Sequence, residues 1–484
     1  PAIEQVTKGQ SLCQLVGTSI DCGNHENQQF ERVDIGAHSG VASGWRETRG
    51  DVDVEDVLAE IVVLGAFCAE LIVCVAFGAP MTFALLVGLA MFCGYGLYRG
   101  HGAGELVRMC ADGVCSASGM IQSLILIGAL TALWRACGTV PQIVVMVTPL
   151  VTPATAPLSV FLLCSLMSFL TGTAFGTSAT MGVVSMTMAS SMGANPLICG
   201  GAVLAGAYFG DRCSPMSSSA LLVRSVTGTS MSDNFKAMMR SSAVPFAGTI
   251  AIYAVAGLLL RPSGSFGAAS TATVLAAYFD QGIVALLPVV PVIVFPLMHI
   301  GMKRSMMASI VVAALVCVTF RGVAPMDVAA FSLLGFRASN PLVSRLMSGG
   351  GVVSMLNVTT VVCLASSFVG LFEGTGLLDG VRNHMEEVAD RITPFGAILA
   401  VTVPASMVAC NQTLGIMLAS QLCENVEPNK RSLALALEDS AVVISPLVPW
   451  SIACTAVMTM CGTPSACWVT AVYLWFIPLW HLLC

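Results

Sequence analysis

Charge is what this sequence has least of. Asp, Glu, Lys and Arg make up 10% of its 484 residues, where a soluble domain carries about 25%. Twenty-one bases and 27 acids cannot cover a water-facing surface of this size, which argues against a soluble enzyme or a nucleic-acid binder. The net charge of −6 is local as well. Residues 1–56 hold ten acids and four bases and account for all of it, while the stretch 57–484 carries 17 of each. Metal and disulfide spacing is also missing. The 19 cysteines include no C-x-x-C pair, and Cys68, Cys74, Cys93, Cys164, Cys199, Cys317 and Cys454 lie inside apolar runs. They read as small apolar packing residues. The catalytic patterns H-E-x-x-H and G-x-S-x-G are absent too. The first 50 or so residues have no apolar stretch behind a basic start, so a weakly ordered polar tail is expected there rather than a signal peptide.

What the chain does have is apolar length. Its mean hydropathy is +0.84 and 56% of its residues are hydrophobic. Runs near 57–77, 80–98, 119–134, 156–170, 194–209, 242–260, 282–300, 305–320, 352–372, 395–410, 441–461 and 466–483 are each about 15–21 residues long. A membrane helix needs roughly 17–25. The runs predict an all-α polytopic membrane protein of about 10–13 transmembrane helices, since an open sheet edge cannot sit in lipid. Four segments are expected. These are a polar tail (1–56), a first transport repeat (57–260), an inter-repeat linker (261–281) and a second transport repeat (282–484). The linker opens on Arg261-Pro262-Ser263-Gly264, which has loop composition.

The two repeats are read from four landmarks. A span from Met120 to Gly138-Thr139 is echoed from Met355 to Gly374-Thr375. Asp211 is echoed by Asp439, Ser214-Pro215 by Ser445-Pro446, and Gly228-Thr229 by Gly462-Thr463. The interval between partners is nearly the same at all four. Such repetition in a polytopic chain predicts a secondary transporter. The competing reading is a duplication without alternating access.

Transporter sites lie where membrane helices are interrupted, because freed backbone groups there bind ions and solutes. Two interruptions are expected in each half. The first pair is Thr171-Gly-Thr173-Ala-Phe-Gly176-Thr177-Ser178-Ala-Thr180 and Asn411-Gln412-Thr413. Hydroxyl and amide oxygens suit a hard cation such as Na⁺, although small residues also serve helix packing. The second pair runs from Asp211 through Ser214-Pro215 to Ser217, Ser218 and Ser219, and from Glu438-Asp439 to Ser445-Pro446. Proline frees an upstream carbonyl, and carboxylates this deep are costly and usually functional. Burial disfavours a charged carboxylate, so one facing a cavity can carry a proton. Asp439, between an apolar run and a Ser-Pro break, is the preferred proton carrier. The plainer alternative is an ion pair at a helix end, Asp211 with Arg212 or Glu438 with Arg431. His299, beside Lys303 and Arg304, reads as a boundary residue, and 382–391 as a solvated loop helix.

At these interruptions the chain resembles the NhaC-type sodium/proton antiporter family of the ion-transporter superfamily. The carrying strings are Gly206-Ala-Tyr-Phe-Gly-Asp211-Arg-Cys-Ser-Pro215-Met-Ser217, Leu437-Glu-Asp-Ser440 with Ser445-Pro-Leu-Val-Pro449-Trp450, and Gly172-Thr-x-x-Gly176-Thr, over about residues 57–484. The resemblance implies inverted repeats with broken helices or re-entrant hairpins, and exchange of Na⁺ for H⁺; relatives exchange organic acids such as malate and lactate. The chain departs from the family's Asp-Thr-Thr-Asn after Ser-Pro-x-Ser, having Ser218, Ser219, Ala220 and Leu221. Asn411 stands where an acid is often found. Fewer fixed negative charges should weaken the hold on a bare cation and suit an anionic or zwitterionic solute.

Three functions are therefore weighed. The first is an Na⁺/H⁺ antiporter working by alternating access, with Asp211, Glu438 and Asp439 as coupling carboxylates. Cation or substrate oxygens would come from Thr171, Thr173, Thr177, Ser178, Thr180, Ser214, Ser217, Ser218, Asn411, Gln412, Thr413 and Ser445, with Thr173 and Asn411 as Na⁺ ligands. The second is an Na⁺- or H⁺-coupled carrier of a small carboxylate or amino acid, bound at helix N-termini. The third is an intramembrane hydrolase, because Tyr208-Phe-Gly-Asp211 loosely resembles a membrane aspartyl protease motif. A second Tyr-Asp pair is missing, and the repeats favour transport, so no enzyme activity is expected. No cofactor is expected beyond Na⁺ and H⁺ as transported or coupling ions. The partners are the lipid bilayer and a small ion or solute, without nucleic acid, and a homodimer is allowed. The expected location is multi-pass in a cell membrane, with a bacterial inner membrane the first choice. Basic residues are spread over many short loops, so the positive-inside count does not fix orientation.

Overall fold

A computed structural model describes residues 54–484 apart from 78, 148–150, 260–276, 280–281, 299, 339, 341–342, 345–346, 378–392, 424–425 and 428. The chain divides into two units, Pro1–Asp56 and Val57–Cys484, and nearly all the described residues belong to the second. The expectations for residues 1–53, most of the linker, His299 and the 382–391 loop helix fall outside the described residues, or almost wholly so.

Helices in the first half are α1 (Val54–Phe77), α2 (Met81–Tyr98), α3 (Ala103–Ser116), α4 (Ser118–Ala136), α5 (Thr139–Val147) and α6 (Ala156–Thr171). Next come α7 (Ala174–Thr177), a π turn at Ser178–Gly182, and α8 (Val183–Ser191). After these come α9 (Pro196–Cys213), α10 (Ser218–Thr227) and α11 (Met231–Leu259). The second half contains α12 (Val289–Leu297), α13 (Met302–Thr319), α14 (Pro325–Leu334), α15 (Leu356–Thr375) and α16 (Pro394–Ala409). It continues with α17 (Gln412–Leu422), α18 (Lys430–Asp439), α19 (Ala441–Ile444), α20 (Ile452–Cys461) and α21 (Val472–Leu483). Strands are absent among the described residues, apart from an isolated bridge between Phe336 and Gly349. The fold is that of an all-α polytopic membrane protein, and large apolar side chains such as Phe77, Leu97, Leu258 and Leu259 point outward, as a lipid-facing surface requires.

The apolar runs do not all form whole spans. Three helices among the described residues are long and apolar enough to cross a bilayer unbroken: Ser118–Ala136, Met231–Leu259 and Val352–Thr375. The pair Lys430–Leu447 and Ile452–Cys461, bent by 55° at its break, is long and apolar enough when taken together, as a broken span or a re-entrant loop. Others, such as Ala156–Thr171 and Pro394–Ala409, stop short because Gly172 and Cys410 take left-handed backbone at their ends. Counting apolar runs therefore counts through breaks.

Helix crossings are set by residues without side chains. Gly206 and Gly210, one turn apart on α9, lie against the backbone of α6 at Phe161–Ser165 and Ser168–Phe169. There the Ser168 hydroxyl donates to the Ala207 carbonyl. Gly113 of α3 and Gly370 of α15 face each other in the same way. Small residues let backbones approach where lipid supplies no hydrophobic drive.

The two halves show the same sequence of breaks. In the first half α6 ends on Gly172 (φ 66°), Thr173 caps α7, Ser217 caps α10, and α10 ends on Gly228 (φ 66°). In the second, α16 ends on Cys410 (φ 52°), Asn411 caps α17, Ser451 caps α20, and α20 ends on Gly462 (φ 64°). One landmark shifts. The left-handed glycine that closes α15 is Gly376, and Gly374 lies inside the helix. The interval from Ser217 to Ser451 at the caps is longer than that from Asp211 to Asp439 at the acids, and this too has a cause. The second half inserts α19 and a 3₁₀ turn, Ser445–Leu447, between its acid and its cap.

Gly210→Val should force α6 and α9 apart and cost about 1–3 kcal/mol or the fold itself. Gly94 on α2 has nothing within 4 Å of a would-be Cβ, so Gly94→Ala should be neutral or stabilising by up to about 1 kcal/mol. Thermal unfolding in detergent compares the two; equal melting would remove the close-packing role of Gly210.

Candidate functional site

Four helices begin around one cavity of about 400 Å³. Thr173, Phe175 and Gly176 at the start of α7 line it, with Ser218 of α10, Asn411 to Thr413 at the start of α17, and Ile452 and Ala453 of α20. Each start has a hydroxyl or amide at its cap. Thr173 Oγ1 accepts from Gly176 N at 3.3 Å, Ser217 Oγ from Ser219 N at 3.2 Å, Asn411 Oδ1 from Thr413 N at 2.9 Å and Ser451 Oγ from Ala453 N at 3.2 Å. Ser, Thr and Asn cap best because their oxygens meet amides that lack a helical partner. The breaks are also tied to each other. Ile452 N donates to the Cys410 carbonyl at 2.9 Å, Trp450 Nε1 to the Met407 carbonyl at 2.8 Å, and Gly172 packs on Met216 and Ser217. Cys410 is the one non-glycine with positive φ among the described residues, a conformation that costs about 1–2 kcal/mol. Lys303 of α13 is the one ionisable side chain among the described residues that line the cavity, and its Nζ donates to Gln122 Oε1 at 3.2 Å.

Asp211 lies just behind this cavity, near the end of α9, and is 4% exposed. The Ser217 hydroxyl is 3.3 Å from Oδ1, the Ser219 hydroxyl 3.1 Å from Oδ2, and Gln412 Nε2 donates to Oδ2 at 3.2 Å. Gln412 Nε2 also donates to the Val442 carbonyl at 3.2 Å. A carboxylate of the first half is thus held by an amide of the second.

Arg212 points elsewhere, because successive residues on a helix diverge by about 100°. It is fully buried, and its guanidinium pairs with Asp439 Oδ1. It also donates to the Glu438 carbonyl at 3.2 Å, the Met238 carbonyl at 3.3 Å, Ser241 Oγ at 2.7 Å, and Ser242 Oγ. The other Asp439 oxygen lies 2.7 Å from His481 Nδ1, and the His481 ring stacks on Phe395 at 3.9 Å. The alternative ion pairs considered from the sequence do not form. Arg212 takes Asp439 across the halves, and Arg431 takes Asp233 at 2.9 Å. Arg431 and Glu438 share a face of α18 but are seven residues, about 10 Å, apart along it. Glu438 is fully buried, and neither of its carboxylate oxygens has a hydrogen-bond partner.

Of the expected oxygens, Thr173, Ser218, Asn411, Gln412 and Thr413 line the cavity, and Ser217 touches Asp211. The others are buried, and all but Thr177 turn to nearby backbone. Thr171 donates to the Met167 carbonyl at 2.9 Å, Ser178 to Ala174 at 2.7 Å, Thr180 to Gly176 at 2.7 Å and Ser445 to Ala441 at 2.9 Å. Thr177 meets the Thr171 hydroxyl at 3.3 Å, and Ser214 Oγ accepts from Met216 N at 3.3 Å. Sequence reasoning missed Lys303 as a cavity residue and gave no role to Arg212 beyond a local pair or to His481. Arg212 carried a usable signal, being an arginine inside a helix otherwise free of basic residues.

Asp439→Asn leaves the Arg212 charge buried without its anion, which should cost about 3–5 kcal/mol. The double variant Arg212→Met, Asp439→Leu should regain much of that loss. Melting in detergent reads both, and an unchanged Asp439→Asn midpoint would show that the pair adds no stability.

Comparison with known proteins agrees with this architecture. The sequence model of the Na⁺/H⁺ antiporter family matches residues 57–230 and again 206–480. The chain is 27% identical over 425 residues to the malate-2H(+)/Na(+)-lactate antiporter of Bacillus subtilis, covering 83% of this chain and 88% of that protein. It is 25% identical over 381 residues to the Na(+)/H(+) antiporter NhaC of Alkalihalophilus pseudofirmus, covering 76% and 81%. It is 28% identical over 383 residues to the arginine/ornithine antiporter ArcD of Halobacterium salinarum, covering 74% and 76%. With helices interrupted in matched places around one cavity and a family match over most of its length, this chain belongs to the Na⁺/H⁺ antiporter family and is a membrane-embedded antiporter.

Proposed function

We propose that the protein exchanges Na⁺ for H⁺ by alternating access between two inverted repeats, with Asp211 as the carboxylate that holds cation and proton in turn. The observation that carries this reading is the setting of Asp211, buried among Ser217, Ser219 and Gln412, which come from both halves. A hard cation takes oxygen ligands, and the two hydroxyls can turn their lone pairs to it. The Gln412 amide can present its carbonyl oxygen by rotating half a turn, since amide orientation follows the hydrogen-bond network. Thr173 and Asn411 are then the oxygens a cation meets on entry from the cavity. The reading puts the protein in a cell membrane, a bacterial inner membrane first, and allows a homodimer.

A second reading is favoured by one feature of the cavity. At about 400 Å³, with Lys303 on its wall and four helix N-termini at its edge, it has the size and polarity for a small carboxylate or amino acid. The names of the Bacillus subtilis and Halobacterium salinarum relatives describe exchange of such solutes. In that case Na⁺ or H⁺ drives the solute and Asp211 remains the coupling group.

Proteoliposomes with a pH dye separate the readings. Na⁺, Li⁺ or K⁺ is added alone, and then malate, lactate or arginine. Cation-driven proton movement without solute is expected, and Asp211→Asn should reduce it by about a hundredfold, the scale of a lost proton-transfer group. No signal until a solute is present would replace the first reading by the second. Lys303→Gln should leave cation exchange within about twofold, whereas a carboxylate that lost this contact would bind about tenfold more weakly, or ~1.4 kcal/mol.

A further inference from the structure

We infer that the cleft between α11 and α18, which ends at Glu438, is a proton-access vestibule separate from the cavity that serves Asp211. The inference rests on the antiport reading and adds a route to it. The cleft encloses about 240 Å³ and is lined by Asp233, Asn234 and Lys236 of α11 and by Arg431, Leu435 and Glu438 of α18, among others. Arg431, Leu435 and Glu438 follow at i, i+4 and i+7, so they mark one face of α18 over about 10 Å. The outer end is closed by the Asp233–Arg431 pair, in which the arginine side chain is 75% exposed. Such an exposed pair adds little to stability and opens readily. At the inner end the lining includes Glu438, which is fully buried and whose carboxylate oxygens have no hydrogen-bond partner, and a polar group in that condition still has a partner to take.

The chemistry of the lining selects the partner. A sodium ion entering here would pass two fixed cations, Lys236 and Arg431. Against them the outer lining sets a single carboxylate, Asp233, so the mouth keeps a net positive charge. A proton needs one oxygen and a chain of water, and the space admits several waters at about 30 Å³ each. The charges that face Glu438 are Asp211 and Arg212 on α9, Asp233 and Lys236 on α11, and Arg431 and Asp439 on α18 itself, with His481 of α21 behind Asp439. Arg212 links the two routes. It donates to the Glu438 backbone carbonyl and follows Asp211 directly in the chain, so one fixed cation adjoins both. None of the residues lining this cleft lines the 400 Å³ cavity.

The test uses the full chain in proteoliposomes and two variants. Glu438→Gln keeps the shape and removes the carrier. The Na⁺-driven proton flux should fall about tenfold and its pH profile should shift, since Asp211 still titrates, with Na⁺ affinity by calorimetry unchanged. Leu435→Trp fills the cleft without touching a charge and should slow proton flux by a similar factor. A wild-type pH profile in Glu438→Gln, or a shift in Na⁺ affinity in its place, overturns the inference. If that variant does not fold, a wild-type rate in Leu435→Trp does the same. A second readout stands apart from transport. As the Asp233–Arg431 pair opens, a water-soluble carbodiimide should modify Glu438 slowly in the wild type and much less in Leu435→Trp, read by peptide mass spectrometry. Absence of that modification overturns the vestibule. A modified Glu438 in a protein without Na⁺-driven flux overturns the antiport reading instead.

Discussion

One buried guanidinium ties the end of α9 to three helices, two of them from the other half. Arg212 has no solvent contact, so every donor it carries must be met inside the protein. Its acceptors come from α11, α18 and α21, as the Met238 carbonyl, Ser241 and Ser242, the Glu438 carbonyl and Asp439, and the Tyr473 hydroxyl at 3.4 Å. Replacing such a pair by apolar residues is often neutral for stability, so its value lies in fixing where things are. With Arg212 committed to Asp439, the neighbour Asp211 is turned by one helical step toward the cavity. By the same step, Glu438 is turned away from Asp439 toward the other cleft.

The second constraint is the cost of cutting helices in an apolar setting. Each break exposes amides and carbonyls that lipid cannot satisfy. The chain answers with a side-chain cap at each of the four helix starts and with contacts between the breaks, such as Ile452 N to the Cys410 carbonyl. The two halves do not solve the problem identically. The first uses glycine for its left-handed residue after α6, at Gly172. The second uses Cys410, which accepts strain and fills space that glycine would leave empty. Strain held by its surroundings is common where a segment must sit in one place. Here that place is the residue before the Asn411 cap.

The sequence was readable where the reason for a residue is local. Caps are local, and Thr173, Asn411 and the Ser217 cluster stood out as polar groups in apolar surroundings. The all-α polytopic class follows from composition, and the matched breaks follow from the punctuation. The register of one landmark was not readable, because Gly374 and Gly376 look alike until the helix end is placed. The pairing of charges was hidden for a stronger reason. Arg212 and Asp439 lie 227 residues apart, and Asp439 and His481 lie 42 apart. Adjacent acids and bases suggest local pairs, whereas helix geometry sends neighbours to different faces. Lys303 was hidden likewise, since a lysine near the end of an apolar run is ordinarily interfacial.

The scarcity of charge gives these placements their weight. The stretch 57–484 carries 17 acids and 17 bases, and few of those described are buried. In the buried cluster Arg212 balances Asp439 and leaves two carboxyls, Asp211 and Glu438, without a matching cation. They differ in kind. Asp211 is surrounded by hydroxyls and an amide that can rearrange around an ion, while Glu438 faces a cleft with cations at its mouth and no bonded partner. The two carboxyls therefore sit in unlike environments, and both environments follow from a single choice of partner for Arg212.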